Sequence, residues 1–247
     1  MRGMIFAAGQ GQRLLGLTDG MPKALVQVAG RPMIEYPLLL LRHYGIREII
    51  VNLHHFGERI ESHLGDGARF GLKISYSKEP DLLDTGGGLL KARHFLENDT
   101  FVVINTDVLI DLPLADVLAF HKKNNAIATL VLRPDPQADH YGSIDIDSGG
   151  RIERFLQARR PKAGTAGTKL MFTGVQVLEP KTFQHMEMDG VPERFSTTKD
   201  LYPAMLLKDE ALYGFCFEGY WQDLGTPERI RSAEERLTRN TVRVHYL

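Results

Sequence analysis

Two glycines and two cations crowd the start of the chain. The apolar run Met4-Ile-Phe-Ala7-Ala8 stops abruptly at Gly9-Gln10-Gly11, Arg13 follows two residues on, and Lys23 comes directly after Pro22. Glycines bring backbone N–H groups up to an anion with no Cβ in the way, and two cations of different reach can hold different oxygens of a polyphosphate. The spacing outlines a phosphate site. It is neither of the two best-known phosphate loops. Lys23 has no glycine before it and no hydroxyl after it, as G-x-x-x-x-G-K-[ST] requires, and Leu14 stands where the dinucleotide fingerprint needs its third glycine. A bare G-x-G after a strand also describes an ordinary strand-to-loop turn.

Two carboxylates and a second glycine cluster stand further along. Asp107 follows the apolar run Phe101-Val-Val-Ile-Asn105-Thr106. A carboxylate at the C-terminal end of a central strand lies in the crevice where open α/β sheets bind ligands, although Asp is also a common turn former. Asp223 sits in Trp221-Gln-Asp-Leu-Gly225-Thr226-Pro227, just before good helix-start residues. In Asp84-Thr85-Gly86-Gly87-Gly88, three consecutive glycines mark close backbone approach to something. The nine histidines show no ligand spacing; His54 and His55 are adjacent and read as packing residues or as neighbours of a base. The run Arg151–Lys162 holds five cations against Glu153 alone, and for any one of them a solvated basic hairpin is the simpler account.

The elements that must position these residues alternate. Strands are expected at 4–8, 46–53, 72–77 and 101–106, with helices from Pro32 to Gly45, at 56–64 and at 89–96, and a loop over 78–88. This is the pattern of a mostly parallel sheet with helices on both faces. Beyond Asp107 a helix at 114–124 and a strand at 126–132 precede a hairpin over Tyr141–Leu156. A strand at 171–178, helices near 181–187 and 199–207, a strand at 211–217 and a helix at 227–239 follow.

At 247 residues the chain is expected to fold as one large α/β domain over 1–247, with no hexapeptide β-helix after residue 240. Thirty basic and 31 acidic residues give a net charge of −1, so no broad positive field recruits nucleic acid or an anionic membrane, and anion binding must be local. Cys216 is the only cysteine, which excludes an internal disulfide and a polythiolate zinc site. No apolar run approaches the ~20 residues of a membrane span. A cytoplasmic protein is expected.

The combination of Ala7-Ala8-Gly9, Gly11, Arg13, Leu17-Thr18, Pro22-Lys23 and Gly30-x-Pro32-Met-Ile34 resembles the signature of the sugar-1-phosphate nucleotidyltransferases. Asn105-x-Asp107-Val is similar to that family's metal-binding segment, and Trp221-Gln-Asp223-Leu-Gly-Thr-Pro227 to its W-x-D-[VL]-G-T-P. The resemblance implies a Rossmann-like, GT-A-like three-layer sandwich built on a mixed, mostly parallel sheet. It implies nucleotidyl transfer from an NTP to a sugar 1-phosphate with Mg²⁺, and it allows a homodimer. By the same resemblance Arg13 and Lys23 are catalytic, and Asp107 and Asp223 hold the metal. Ala7, Ala8, Gly9, Gly11, Thr85, Gly86, Gly87 and Asn105 bind the nucleotide. Gly142, Thr173, Gly174 and Asp200 bind the sugar.

The overall cast is most similar to short bacterial mannose-1-phosphate guanylyltransferases, which favours GTP over UTP or dTTP. N-acetylmuramic acid 1-phosphate uridylyltransferases are close rivals. A catalytically silent nucleotide-sugar regulator and a glycosyltransferase of related fold are the alternatives of other classes. Two departures from the family stand out. Gly16 replaces a usual proline, and Phe155-Leu-Gln-Ala-Arg-Arg160-Pro161 replaces a Glu-Lys-Pro segment, so the sugar-phosphate lysine is unassigned, with Arg159 or Arg160 as stand-ins.

Overall fold

The apolar run after Met1 forms the strand Arg2–Phe6, whose middle residues Met4 and Ile5 are fully buried. In the computed structural model, residues 1–14, 16–18, 20–136, 143–164, 167–187 and 193–247 are described, without the Gln12 side chain. The chain divides into two compact units. One comprises Met1–Leu82, Ile104–Leu112 and Gly219–Leu247; the other comprises Leu83–Val103 and Pro113–Glu218.

In the first unit, Arg2–Phe6 pairs in parallel with Glu48–Leu53, which pairs in parallel with Lys73–Lys78. Strands buried on both faces read as continuous apolar runs, and Ile49, Ile50 and Val51 are at most 1% exposed. The intervening helix is Glu35–His43. It begins three residues later than expected, because Pro32 is taken up in the short antiparallel pair of Gln27–Val28 with Arg31–Pro32. Pro37 falls in the first turn, where its missing N–H has no intrahelical partner to lose. The strand Phe101–Asn105 ends inside this unit, where the Thr106 amide donates to the Phe6 carbonyl at 3.2 Å. Two short strands then pair antiparallel, Val108–Ile110 with Trp221–Asp223, in the register Val108 to Asp223. The closing helix is Pro227–Thr238, capped by the Thr226 hydroxyl.

In the second unit, Thr168–Leu178 runs antiparallel to Ala128–Arg133, which is parallel to Leu212–Cys216. The expected hairpin is present as Ile144–Ile146 with Ile152–Phe155, its turn held by Asp147 Oδ1, which accepts the Gly149 and Arg151 amides at 2.8 and 2.9 Å. Tyr141 and Gly142 lie outside the described residues.

Two sequence expectations need correction here. The basic run after Arg151 is ion-paired within its own unit: Arg154 meets Asp145 at 2.7 Å, Arg151 meets Asp209 at 3.1 Å, and Arg160, 11% exposed, meets Glu153 at 2.5 Å. Desolvated arginines are retained only when paired, so Arg160 serves the hairpin and is not a spare cation for a sugar phosphate. Arg159 likewise donates to the Gly164 carbonyl at 2.5 Å.

The second correction concerns Thr85-Gly86-Gly87-Gly88, which lies within the helix Asp84–Lys91 and not in a loop ahead of it. The close approach that the glycines announce is made by the chain itself. A Cβ on Gly86 would overlap the Phe195 ring, and one on Gly87 would overlap the Glu193 carbonyl oxygen and lie 2.9 Å from Leu83 Cβ. The Gly86 and Gly87 amides donate to the Phe195 carbonyl at 2.8 and 3.3 Å, so both are committed within the fold. Gly87→Ala gains about 1 kcal/mol of helix propensity but meets a backbone atom that cannot rotate away, at a cost of about 2–3 kcal/mol. A net loss of about 1–2 kcal/mol in urea unfolding is expected, and an unchanged or raised midpoint would refute this packing.

Candidate functional site

All of the candidate reaction centre lies in the first unit, where the sheet's strands end at their C-terminal edge. After Phe6 the chain turns through Gly9 and Gly11 into the 3-10 turn Gln12–Leu14, closed by the Leu14 amide on the Gly11 carbonyl at 2.9 Å. Leu14 is fully buried and pins the loop, while Arg13 stays exposed. Gly16 adopts φ +85°, a conformation that the pyrrolidine ring forbids, so the departure from the family's proline is used by the backbone. Pro22, extended at φ −70° and ψ 144°, then launches Lys23–Leu25.

Lys23 Nζ reaches Asp107 Oδ2 at 2.5 Å, both side chains being largely buried. Asp107 is held from behind as well, since its carbonyl accepts the Leu224 amide at 2.9 Å and so carries the pairing of the two short strands one residue further. The neighbouring strand end delivers Asp223. One of its oxygens, Oδ1, accepts the Gly225 amide, and Oδ2 receives Arg229 Nη1 at 2.7 Å. Arg13 belongs to the same cluster: the point where a Gly225 Cβ would sit lies 2.5 Å from Asp223 Oδ1 and 2.8 Å from Arg13 Nη2. The structure therefore brings together four predicted residues, Arg13, Lys23, Asp107 and Asp223.

Ala7, Ala8, Gly9 and Gly11 follow the end of the first strand, and Asn105 closes the strand Phe101–Asn105. The Ala7 amide is already engaged, donating to Asn52 Oδ1 at 2.8 Å, and Asn52 Nδ2 donates to Glu79 Oε1 at 2.7 Å. Asn52 and Glu79 are 3% and 4% exposed. Sequence reasoning passed over both, and over Arg229; an Asn inside the apolar run Ile49-Ile-Val-Asn52-Leu53 was the available signal.

The other predicted residues belong to the second unit. Thr85 Oγ1 accepts the Thr197 amide at 2.9 Å. Thr173 is 1% exposed and its hydroxyl donates to the Val131 carbonyl at 2.8 Å, so that side chain serves the sheet. Gly174 takes φ +88° where the register with Ala128–Arg133 shifts, a bulge that re-aims the strand. Asp200 Oδ2 accepts the Ser196 amide at 2.7 Å.

The donor chemistry suits a hard divalent cation. Asp107 and Asp223 offer carboxylate oxygens from adjacent strand ends, with side chains 22% and 18% exposed. Among the described residues no cluster of three or more His, Cys, Asp or Glu forms a complete cage. Mg²⁺ takes one or two carboxylates and completes its octahedron with water and substrate phosphate, so two acids fit it.

Comparison with known proteins gives the family by a family profile and by curated relatives, and the fold by solved structures. A family profile described as nucleotidyl transferase matches residues 2–240. The chain is 33% identical over 238 residues to the UTP–glucose-1-phosphate uridylyltransferase of Synechocystis, covering 91% of this chain and 60% of the relative. It is 33% identical over 230 residues to the mannose-1-phosphate guanylyltransferase of Mycobacterium tuberculosis, covering 91% and 61%. The chain thus spans about three-fifths of the length of these two relatives. With the N-acetylmuramate α-1-phosphate uridylyltransferase of Neisseria meningitidis the identity is 34% over 239 residues, covering 95% of this chain and 97% of that one. In structure, the UDP-glucose pyrophosphorylase of Acinetobacter baumannii superposes with a TM-score of 0.77 at 22% identity, over 98% and 95% of the two chains, which supports the mixed α/β fold. With its glycine loop, its two early cations and its two strand-end acids in this arrangement, the chain belongs to the nucleotidyl transferase family.

Proposed function

We propose that the chain is a sugar-1-phosphate nucleotidyltransferase that joins an NTP to a sugar 1-phosphate and releases pyrophosphate. One observation carries the reading: Lys23 and Arg13, close in sequence, meet Asp107 and Asp223, more than a hundred residues apart, where the short strand pair Val108–Ile110 with Trp221–Asp223 begins.

An oxygen of the sugar phosphate attacks the α-phosphorus in line. The new O–P bond forms as the bond to the β-phosphate oxygen breaks, so no enzyme nucleophile is required. Catalysis is then positioning and charge neutralisation. Lys23 reaches the α-phosphate and the incoming phosphate, the two anions that must approach each other. Arg13, on its exposed turn, takes the charge that builds on the departing pyrophosphate. The loop amides after Ala8, with Gly9 and Gly11, line the phosphates. Asp107 and Asp223 would hold a divalent cation, with Mg²⁺ the expected ion, which would supply further charge neutralisation at the phosphates.

The whole chain acts as one catalytic domain in a reducing, cytoplasmic setting. GTP with mannose 1-phosphate is the leading substrate pair, and UTP with N-acetylmuramic acid 1-phosphate the second, since relatives bearing both names match at similar identity. Pyrophosphate release measured across four NTPs and a panel of sugar 1-phosphates tests this. Release that depends on both substrates supports the reading; an NTP bound but never turned over with any acceptor would leave a regulator in its place.

A further inference from the structure

Asp223 has a partner that the reaction scheme leaves unused. Arg229 is the third residue of the helix Pro227–Thr238, its amide bonded to the Thr226 cap at 3.4 Å, and its side chain runs back to Asp223 Oδ2 at 2.7 Å. A cation in the first turn is opposed by the helix dipole, and the third position is where a Glu or Gln would complete a capping box. Arg229 therefore stands there against local preference. Its compensation is the acid just assigned to the metal.

The pattern repeats at the other acid, where Lys23 covers Asp107 Oδ2. With Arg13 beside Asp223, three cations face the two acids, so the cluster already carries a net charge of +1. A divalent ion arriving alone must displace a guanidinium and leaves uncompensated positive charge. A polyphosphate arriving with the ion provides a new anion for the displaced cation.

We infer that Arg229 is a displaceable counter-ion of Asp223: it occupies the carboxylate in the nucleotide-free protein and yields it only when metal and nucleotide polyphosphate arrive together. This makes Arg229 a positioning residue that couples the two bindings. The nucleotide half of the inference rests on the nucleotidyl-transfer reading, whereas the competition between Arg229 and a metal for Asp223 does not.

The test titrates Mn²⁺ into the whole protein and follows free Mn²⁺ by electron paramagnetic resonance, with and without GTP or UTP and with no sugar 1-phosphate present. Wild type is expected to bind Mn²⁺ weakly alone and much more tightly with the nucleotide. Arg229→Gln should bind Mn²⁺ alone on the order of tenfold more tightly, the scale of one partly buried charge pair, and should lose a similar factor of the nucleotide-induced tightening. Arg229→Lys, which keeps the charge, should stay close to wild type. Arg229→Ala serves as the second neutral variant if the Gln variant does not fold. If both neutral variants bind Mn²⁺ alone no better than wild type, Arg229 is a strut for Asp223 and the inference falls; it falls equally if Arg229→Lys behaves as Arg229→Gln. Absence of Mn²⁺–nucleotide coupling and of pyrophosphate release in wild type would instead remove the nucleotidyl-transfer reading, while the nucleotide-free comparison still decides the competition.

Discussion

Replacing Asp107 by asparagine is expected to lower turnover by ~10³ while leaving the fold intact, because the change is nearly isosteric and removes one charge. The Asp107 carbonyl still accepts the Leu224 amide, so the short strands stay paired. What disappears is half of the carboxylate pair expected to hold the metal, together with the counter-ion of Lys23 at 2.5 Å. An unpaired, largely buried ammonium is costly, and the Lys23 side chain is only 15% exposed, so its position should loosen as well. Turnover at saturating Mg²⁺ and substrates decides the matter: a variant that keeps more than a tenth of wild-type activity would take Asp107 out of the metal role.

Lys23→Ala should lower turnover by ~10² or more through a different loss, that of positive charge where two phosphates are forced together. Stability should fall as well, since the variant leaves the largely buried Asp107 carboxylate without its counter-ion. The two variants also report on each other. Lys23 and Asp107 touch, so their effects should not add, and the double variant should be scarcely worse than Asp107→Asn alone. Full additivity in kcat would mean that the ion pair is incidental to both roles. Near-normal pyrophosphate release by Lys23→Ala would remove Lys23 from catalysis.

What could be read in the sequence was what local chemistry writes into short stretches. The runs at 2–6, 48–53 and 101–105 became strands because apolar residues dominate their interiors, Asn52 being the one polar interruption, and the G-x-G turn, Arg13 and Lys23 lie within one loop whose ends are fixed. Asp107 and Asp223 were legible as strand-end and pre-helix acids, and the pairing of Val108–Ile110 with Trp221–Asp223 brings them to one place. The pairing itself is not legible, because a three-residue strand has too short a period to stand out. The reading failed where long-range packing overrode local preference. Glycine is a poor helix former, so Gly86–Gly88 read as a loop until Phe195 and Glu193 accounted for the missing side chains. The cations from Arg151 on looked solvated because their acceptors lie outside the run or on the facing strand: Asp145 across the hairpin takes Arg154, and Asp209, more than fifty residues away, takes Arg151. Arg229 looked like one more surface cation on an amphipathic helix, and only the bond to Asp223 separates it from Arg231, whose side chain is 65% exposed.

The antiparallel pairing of Val108–Ile110 with Trp221–Asp223 also sets a timetable. During synthesis the ribosome delivers the glycine loop, Lys23 and Asp107 long before Trp221 leaves the exit tunnel, and contacts of such large sequence separation close late. Until Trp221–Asp223 emerges, Val108–Ile110 has no antiparallel partner and Asp223 does not exist. A nascent chain stalled before Trp221 is accordingly expected to lack the second acid of the site however well its first strands have folded.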